Sequence, residues 1–118
     1  MRIVAMEWMS LDAVVQSPMY PDEDASGGFR HGGWHGPYLD EAAQDWVTET
    51  ITSADAYLFG RGTYDRFAAY WPTAGPEVRV LAEPLNTRPK YVASHRPLTR
   101  PWPGAVRLGA DVRDALPG

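Results

Sequence analysis

The sequence predicts an α/β fold with a mixed, mainly parallel sheet flanked by helices, and three observations carry that prediction. Short apolar runs alternate along the chain with longer segments whose apolar residues recur at helical spacing. The first two runs are apolar on both faces, as a strand covered on both sides must be. The composition, 44% hydrophobic and 22% charged, is that of an ordinary globular chain, while 11 Gly and 11 Pro predict long, shaped loops.

Residues 3–9, Ile-Val-Ala-Met-Glu-Trp-Met, predict a central strand in which only Glu7 breaks the apolar pattern. A carboxylate in a buried strand needs a partner or a place near solvent, and the solvent-facing strand end is the expected one. Ser10, Leu11 and Asp12 follow at the carboxyl end of that strand. Ligands of open α/β sheets sit outside such ends, so Asp12 is a candidate site residue, with an Asx-turn as its alternative role.

Residues 17–37 show no period and form a long loop. Asp22, Glu23 and Asp24 lack the alternation of a calcium loop and read as a solvated acidic tip. His31 and His35 are four apart, yet Gly32 and Gly33 between them deny the helix that would turn both toward one metal, and no metal site is expected. Phe29, Trp34 and Tyr38 read as the wall or lid of a pocket. Leu39, Ala42, Ala43, Trp46, Val47, Thr50, Ile51 and Ala54 then trace a helical stripe, with Asp40 and Glu41 in its first turn as capping residues.

Ala56–Phe59 is a second strand, broken by Gly60 and Gly62. Thr63 can cap a helix carrying Tyr64, Phe67, Ala68 and Trp71, which Pro72 stops. A turn of this kind aims backbone N–H groups and a helix dipole at one spot, and Arg61 adds a charged fork beside it. The spacing matches neither the dinucleotide glycine pattern nor the P-loop, so it leaves open whether a phosphate binds there or the turn is a plain strand-to-helix junction.

Pro76 leads a second short helix through Val78, Leu81, Ala82 and Leu85. Tyr91–Ala93 is a third strand, and Ser94, His95 and Arg96 follow it. An Arg at that place either grips a ribose 2′-phosphate, the mark of NADP over NAD, or is a surface residue. Ala105–Leu108 is a fourth strand, after which Asp111 caps a helix starting with Val112, Ala115 and Leu116, before Pro117 and Gly118.

At 118 residues without repeats or linkers, one domain is expected. The absence of Cys excludes disulfides and thiolate chemistry. A formal charge of −4 argues against nucleic acid as a partner. No run of 18 apolar residues occurs and Glu7 interrupts the first apolar run, so neither a signal peptide nor a membrane span is expected, and a cytoplasmic location is. Five Trp and six Tyr suit a core or the stacking walls of a site for a flat ligand.

Four motifs together, MEWMSLDA, GGFRHGGWHGPY, ADAYLFGRGTY and LNTRPKYVASHR, resemble the dihydrofolate reductase-like superfamily. Within it they are most similar to the family related to the C-terminal reductase domain of the bacterial bifunctional riboflavin deaminase-reductase. The resemblance spans nearly the whole chain. It implies an NADPH-dependent reductase that delivers hydride to a small heterocyclic or ribityl-type substrate. Gly60, Arg61, Gly62 and Thr63 would cradle the cofactor phosphates, and Ser94, His95 and Arg96 would form the 2′-phosphate site. Ser10, Leu11 and Asp12 would line the nicotinamide and substrate cleft, while Trp34, His35 and Tyr38 would cover the substrate. Asp12 or a bound water would be the proton source. Ala13 stands where the family usually has Gly.

Family members continue with a second glycine-rich turn and further strands, so the resemblance implies that residues 1–118 would correspond to the N-terminal portion of the family's domain. A homo-oligomer or a complementing chain is therefore the expected means of completing the sheet. Two classes of function follow: the reductase, or a catalytically inactive remnant that acts as an interaction module through its exposed strand edges.

Overall fold

Three short apolar runs, β1 (Tyr57–Gly60), β2 (Lys90–Ala93) and β3 (Ala105–Leu108), pair into one parallel sheet in the order β1-β2-β3. The computed structural model of the chain describes residues 1–109 and 111–115. Parallel neighbours need a crossover, and two helices, α2 (Arg61–Tyr70) and α3 (Arg79–Thr87), occupy the connection from β1 to β2. The chain is thus of the α/β class, and its sheet is parallel throughout the three strands.

The register aligns Gly60 with Ala93 and Ala93 with Leu108, so the turns that follow β1 and β2 emerge side by side at the carboxyl edge. One layer of the core is aromatic. Phe59 stacks on Trp102 with ring centroids 6.0 Å apart and meets Phe67 of α2 at 5.4 Å. Tyr64, Leu85 and Val92 are fully buried. Asn86 ties this layer together: its amide donates to the Trp71 carbonyl at 2.9 Å and its oxygen accepts the Trp102 indole N–H at 2.8 Å. In the second row of the sheet, Leu58-Tyr91-Val106, the residues of the two outer strands are open, Leu58 at 44% and Val106 at 52% exposure.

The first helix, α1 (Glu41–Ser53), begins where Asp40 accepts the Ala43 N–H at 2.8 Å, a side-chain cap on an otherwise orphan donor. At its other end Arg88 Nη1 donates to the Thr52 carbonyl at 2.7 Å and to that of Ala54. Of its apolar stripe only Ile51 is buried, and Trp46 remains half exposed. Helix α2 starts at Arg61, two residues ahead of the expected Thr63 cap, because Gly60 leaves the strand still extended (φ −73°, ψ 165°) and serves as the N-cap itself. The last helix, α4 (Val112–Ala115), follows Asp111, whose carboxylate accepts the Arg113 N–H at 3.0 Å. The part of this helix expected at Leu116, and the ending at Pro117 and Gly118, lie outside the described residues.

The chain divides into two units, Met1–Gln44 and Asp45–Gly118, with the division inside α1. The described part of the first unit holds no strand. Residues 3–9 correct the expectation of a central strand: Ile3, Val4 and Met9 are exposed and the segment enters no sheet among the described residues. An apolar run becomes a strand only when an edge is there to pair with it. The two-residue period survives nevertheless, for half-buried Met6 and Trp8 alternate with exposed Ala5, Glu7 and Met9. Trp8 is covered by the His35 ring, 4.1 Å away.

Hydrogen bonds around Ser17 organise the rest of the unit. Its hydroxyl donates to the Tyr20 carbonyl and accepts the Asp24 N–H, both at 3.0 Å, and its carbonyl accepts the Gly33 N–H at 2.8 Å. Gly32 runs so close to Pro21 that a Cβ there would lie 2.4 Å from the Pro21 carbonyl oxygen, which excludes any other residue.

Candidate functional site

The carboxyl edge of the sheet gathers the second unit's candidate residues around the Arg61 guanidinium. Its Nε donates to both Asp65 carboxylate oxygens, at 3.1 and 2.9 Å. Nη1 reaches the Ser94 hydroxyl at 3.2 Å and the Arg96 and Pro97 carbonyls at 3.4 and 2.8 Å, and Nη2 reaches the Thr99 hydroxyl at 3.2 Å. The planar fork of Arg suits this many convergent acceptors. Arg61 therefore acts as a clip that fastens the loop after β2 to the first turn of α2.

Ser94 is drawn into the same network: its hydroxyl donates to the Arg96 carbonyl at 2.8 Å and accepts the Arg96 N–H at 3.2 Å. His95 and Arg96 are exposed, and among the described residues the Arg96 guanidinium has no hydrogen-bond or ion-pair partner. Gly60, Gly62 and Thr63 are also exposed. A Cβ at Gly60 would meet nothing within 4 Å, and one at Gly62 only the Arg66 guanidinium at 4.0 Å, so the space over this turn is open. An open groove of about 490 Å³, lined in part by Tyr64, Thr99, Arg100 and Trp102, adjoins the clipped loop.

In the first unit Ser10 and Asp12 are joined: the Ser10 hydroxyl donates to the Asp12 carboxylate at 2.6 Å and accepts the Val14 N–H at 2.9 Å. The Ser10 bond holds the Asp12 carboxyl below its ordinary range. At neutral pH Asp12 is thus a carboxylate, suited to accept rather than supply a proton. Leu11 is fully exposed and Tyr38 is 80% exposed. Trp34 donates its indole N–H to the Gln16 carbonyl at 2.9 Å. His35 is buried between Trp8 and Trp34, and its Nδ1 has no hydrogen-bond partner among the described residues. Glu23 accepts the Met19 N–H at 2.9 Å and Asp24 that of Ser26 at 3.0 Å, which binds the acidic tip into its own loop.

Ala13 closes the turn after Ser10 with φ 68°, in the left-handed region where a side chain is strained. Ala13→Gly is expected to raise stability by about 1 kcal/mol, the relief of strain exceeding glycine's extra chain entropy. A urea midpoint that moves down instead would contradict the strain.

Two residues escaped the sequence reading. Arg107 of β3 donates through Nη1 to the Ser94 carbonyl at 3.3 Å. Lys90, which precedes the expected strand Tyr91–Ala93, is completely buried. In both cases the available signal was a cation inside a run that is otherwise strand-like. Among the described residues no three His, Asp or Glu side chains gather as a metal site would require, and no helix is long and apolar enough to cross a membrane. In comparisons with protein-family models and with curated proteins, nothing matches this chain.

Proposed function

We propose that the chain is an NADPH-dependent reductase of the dihydrofolate reductase and riboflavin-biosynthesis reductase type, acting on a small heterocyclic or ribityl-type substrate. One observation carries the reading: the turns after β1 and β2 lie next to each other at one sheet edge and are physically joined by the Arg61–Ser94 bond. In α/β sheets that edge is where nucleotides bind. The open space over Gly60 and Gly62, the first-turn N–H groups of α2 and the unpartnered Arg96 guanidinium suit a phosphorylated ligand. The cofactor would supply the hydride. The chain's own part is to hold the phosphates with Gly62, Thr63 and Arg96, while Arg61 keeps the loop in shape.

NADPH titrated into the full chain and followed by tryptophan fluorescence tests this. Saturable binding is expected, with Arg96→Ala weakening it about tenfold through the loss of one charge-assisted contact. The same variant should leave the melting temperature in place, because that guanidinium makes no bond within the described chain. No binding at millimolar NADPH overturns the reading. The open row of Leu58 and Val106 favours the second reading, an interaction module that uses its uncovered sheet, and that reading predicts the negative result.

A further inference from the structure

We infer that Arg107, from the strand beside β2, is a specificity-determining residue of this site and that it selects a ribose 2′-phosphate over a free 2′-hydroxyl; the inference rests on the nucleotide reading above. Two guanidinium groups reach Ser94, and a third arginine belongs to the same loop. Arg61 donates to the Ser94 hydroxyl, Arg107 to the Ser94 carbonyl, and Arg96 stands two residues further on. Asp65 neutralises Arg61 alone. Arg96 and Arg107 are exposed and have no carboxylate partner among the described residues. Two arginines without a carboxylate partner beside one loop leave charged donors that an anion can take up.

The hydrogen bonds sort the three cations by role. Arg61 has its Nε and both terminal nitrogens engaged within the chain, which makes it a positioning residue. Arg107 uses only one contact, a single 3.3 Å bond that orients its side chain toward the loop, and its other donors remain free for a ligand. The anchoring acceptor is the backbone of Ser94, so the orientation of Arg107 survives any change of the Ser94 side chain. Arg96 and Arg107 come from a loop and from a neighbouring strand, and they can approach a doubly charged phosphate from different directions. A neutral ribose hydroxyl at the same place gains little from either.

The test uses the full chain and three probes in calorimetric titrations: adenosine 2′,5′-bisphosphate, 5′-AMP and inorganic phosphate. The expected result is that wild type binds the bisphosphate more tightly than 5′-AMP, and that Arg107→Gln weakens the bisphosphate about tenfold while leaving 5′-AMP unchanged. Arg107→Lys should recover part of the loss, since it restores charge without the fork. Equal weakening of both nucleotides, or none of either, with circular dichroism unaltered, overturns the role of Arg107 while the nucleotide reading stands. Wild type that binds inorganic phosphate as tightly as the bisphosphate shows an anion site without nucleotide selection and also overturns it. Failure of wild type to bind either nucleotide removes the nucleotide reading itself, and this inference with it.

Discussion

Replacing Lys90 with alanine is expected to destabilise the chain by about 3–5 kcal/mol, the range for removing a buried charged partner together with its packing volume. Lys90 is 0% exposed, and its Nζ donates to the Leu85 and Arg88 carbonyls, both at 2.7 Å. Leu85 lies in the last turn of α3 and Arg88 is its C-cap, so the ammonium satisfies two backbone acceptors at the negative end of a helix dipole. It also lies 4.7 Å from the centroid of the Trp102 ring. Alanine would leave both carbonyls without a donor and open a void beneath the indole. Lys90→Met, which keeps most of the volume, should cost about 1–3 kcal/mol for the unsatisfied acceptors alone. Urea unfolding followed by circular dichroism separates the two, and an alanine variant as stable as wild type would refute the argument.

The same burial gives this lysine a pH signature. Desolvation pushes the Lys90 ammonium below its ordinary value, so the unfolded chain binds that proton more tightly than the folded one. Below the lowered pKa both states are protonated and the penalty is fully present. As the pH rises toward the ordinary lysine value of about 10.4 the penalty disappears, and stability contributed by Lys90 increases. The stability difference between wild type and Lys90→Met should therefore widen in favour of wild type on the alkaline side. A difference that stays flat with pH contradicts the shift.

Trp102→Ala is expected to cost a comparable amount, about 3–5 kcal/mol. The residue is 4% exposed although it comes from a loop. Its ring stacks on Phe59 with planes 10° apart and lies 6.0 Å from Tyr64, and its N–H is bound to Asn86 at 2.8 Å. One indole thus joins β1, α2, α3 and β2, and no smaller side chain can reach all four. Trp102→Phe keeps the stack and loses the Asn86 bond, which should cost about 1 kcal/mol. A double-mutant cycle of Trp102→Leu, which removes the ring, with Lys90→Met should show coupling of about 0.5–2 kcal/mol from the cation over the ring. Strict additivity would show that the ammonium gains nothing from the indole.

The local signals in the sequence were legible and the long-range ones were not. Glycine and proline punctuation located β1, β3 and the helices, because turn chemistry is set by neighbours in sequence. Residues 3–9 have the composition of a strand, yet pairing depends on an edge elsewhere in the chain, which composition does not reveal. Arg61 beside two glycines leaves a phosphate site and a plain turn equally open to the sequence; its acceptors at Ser94, Pro97 and Thr99 lie 33 to 38 residues away, and only the fold discloses them. Lys90 is the opposite case, since lysine is almost always solvated and its three companions are Leu85, Arg88 and Trp102. Of the candidate site, the juxtaposition of Gly60–Thr63 with Ser94–Arg96 followed from two strand ends; the bond from Arg107 to Ser94 required the register of the third.

The Arg61 clip bears on how tightly this edge can hold a ligand. A loop that is free in solution must surrender its conformational freedom when it closes on a partner, and affinity falls accordingly. Here the segment from Ser94 to Thr99 is already fixed by four bonds from a single side chain. The ordering entropy was removed when the chain folded. An anion bound at this edge as proposed would meet a rim already shaped, and its contacts with Arg96 and Arg107 would be carried into affinity with little consumed in ordering the loop.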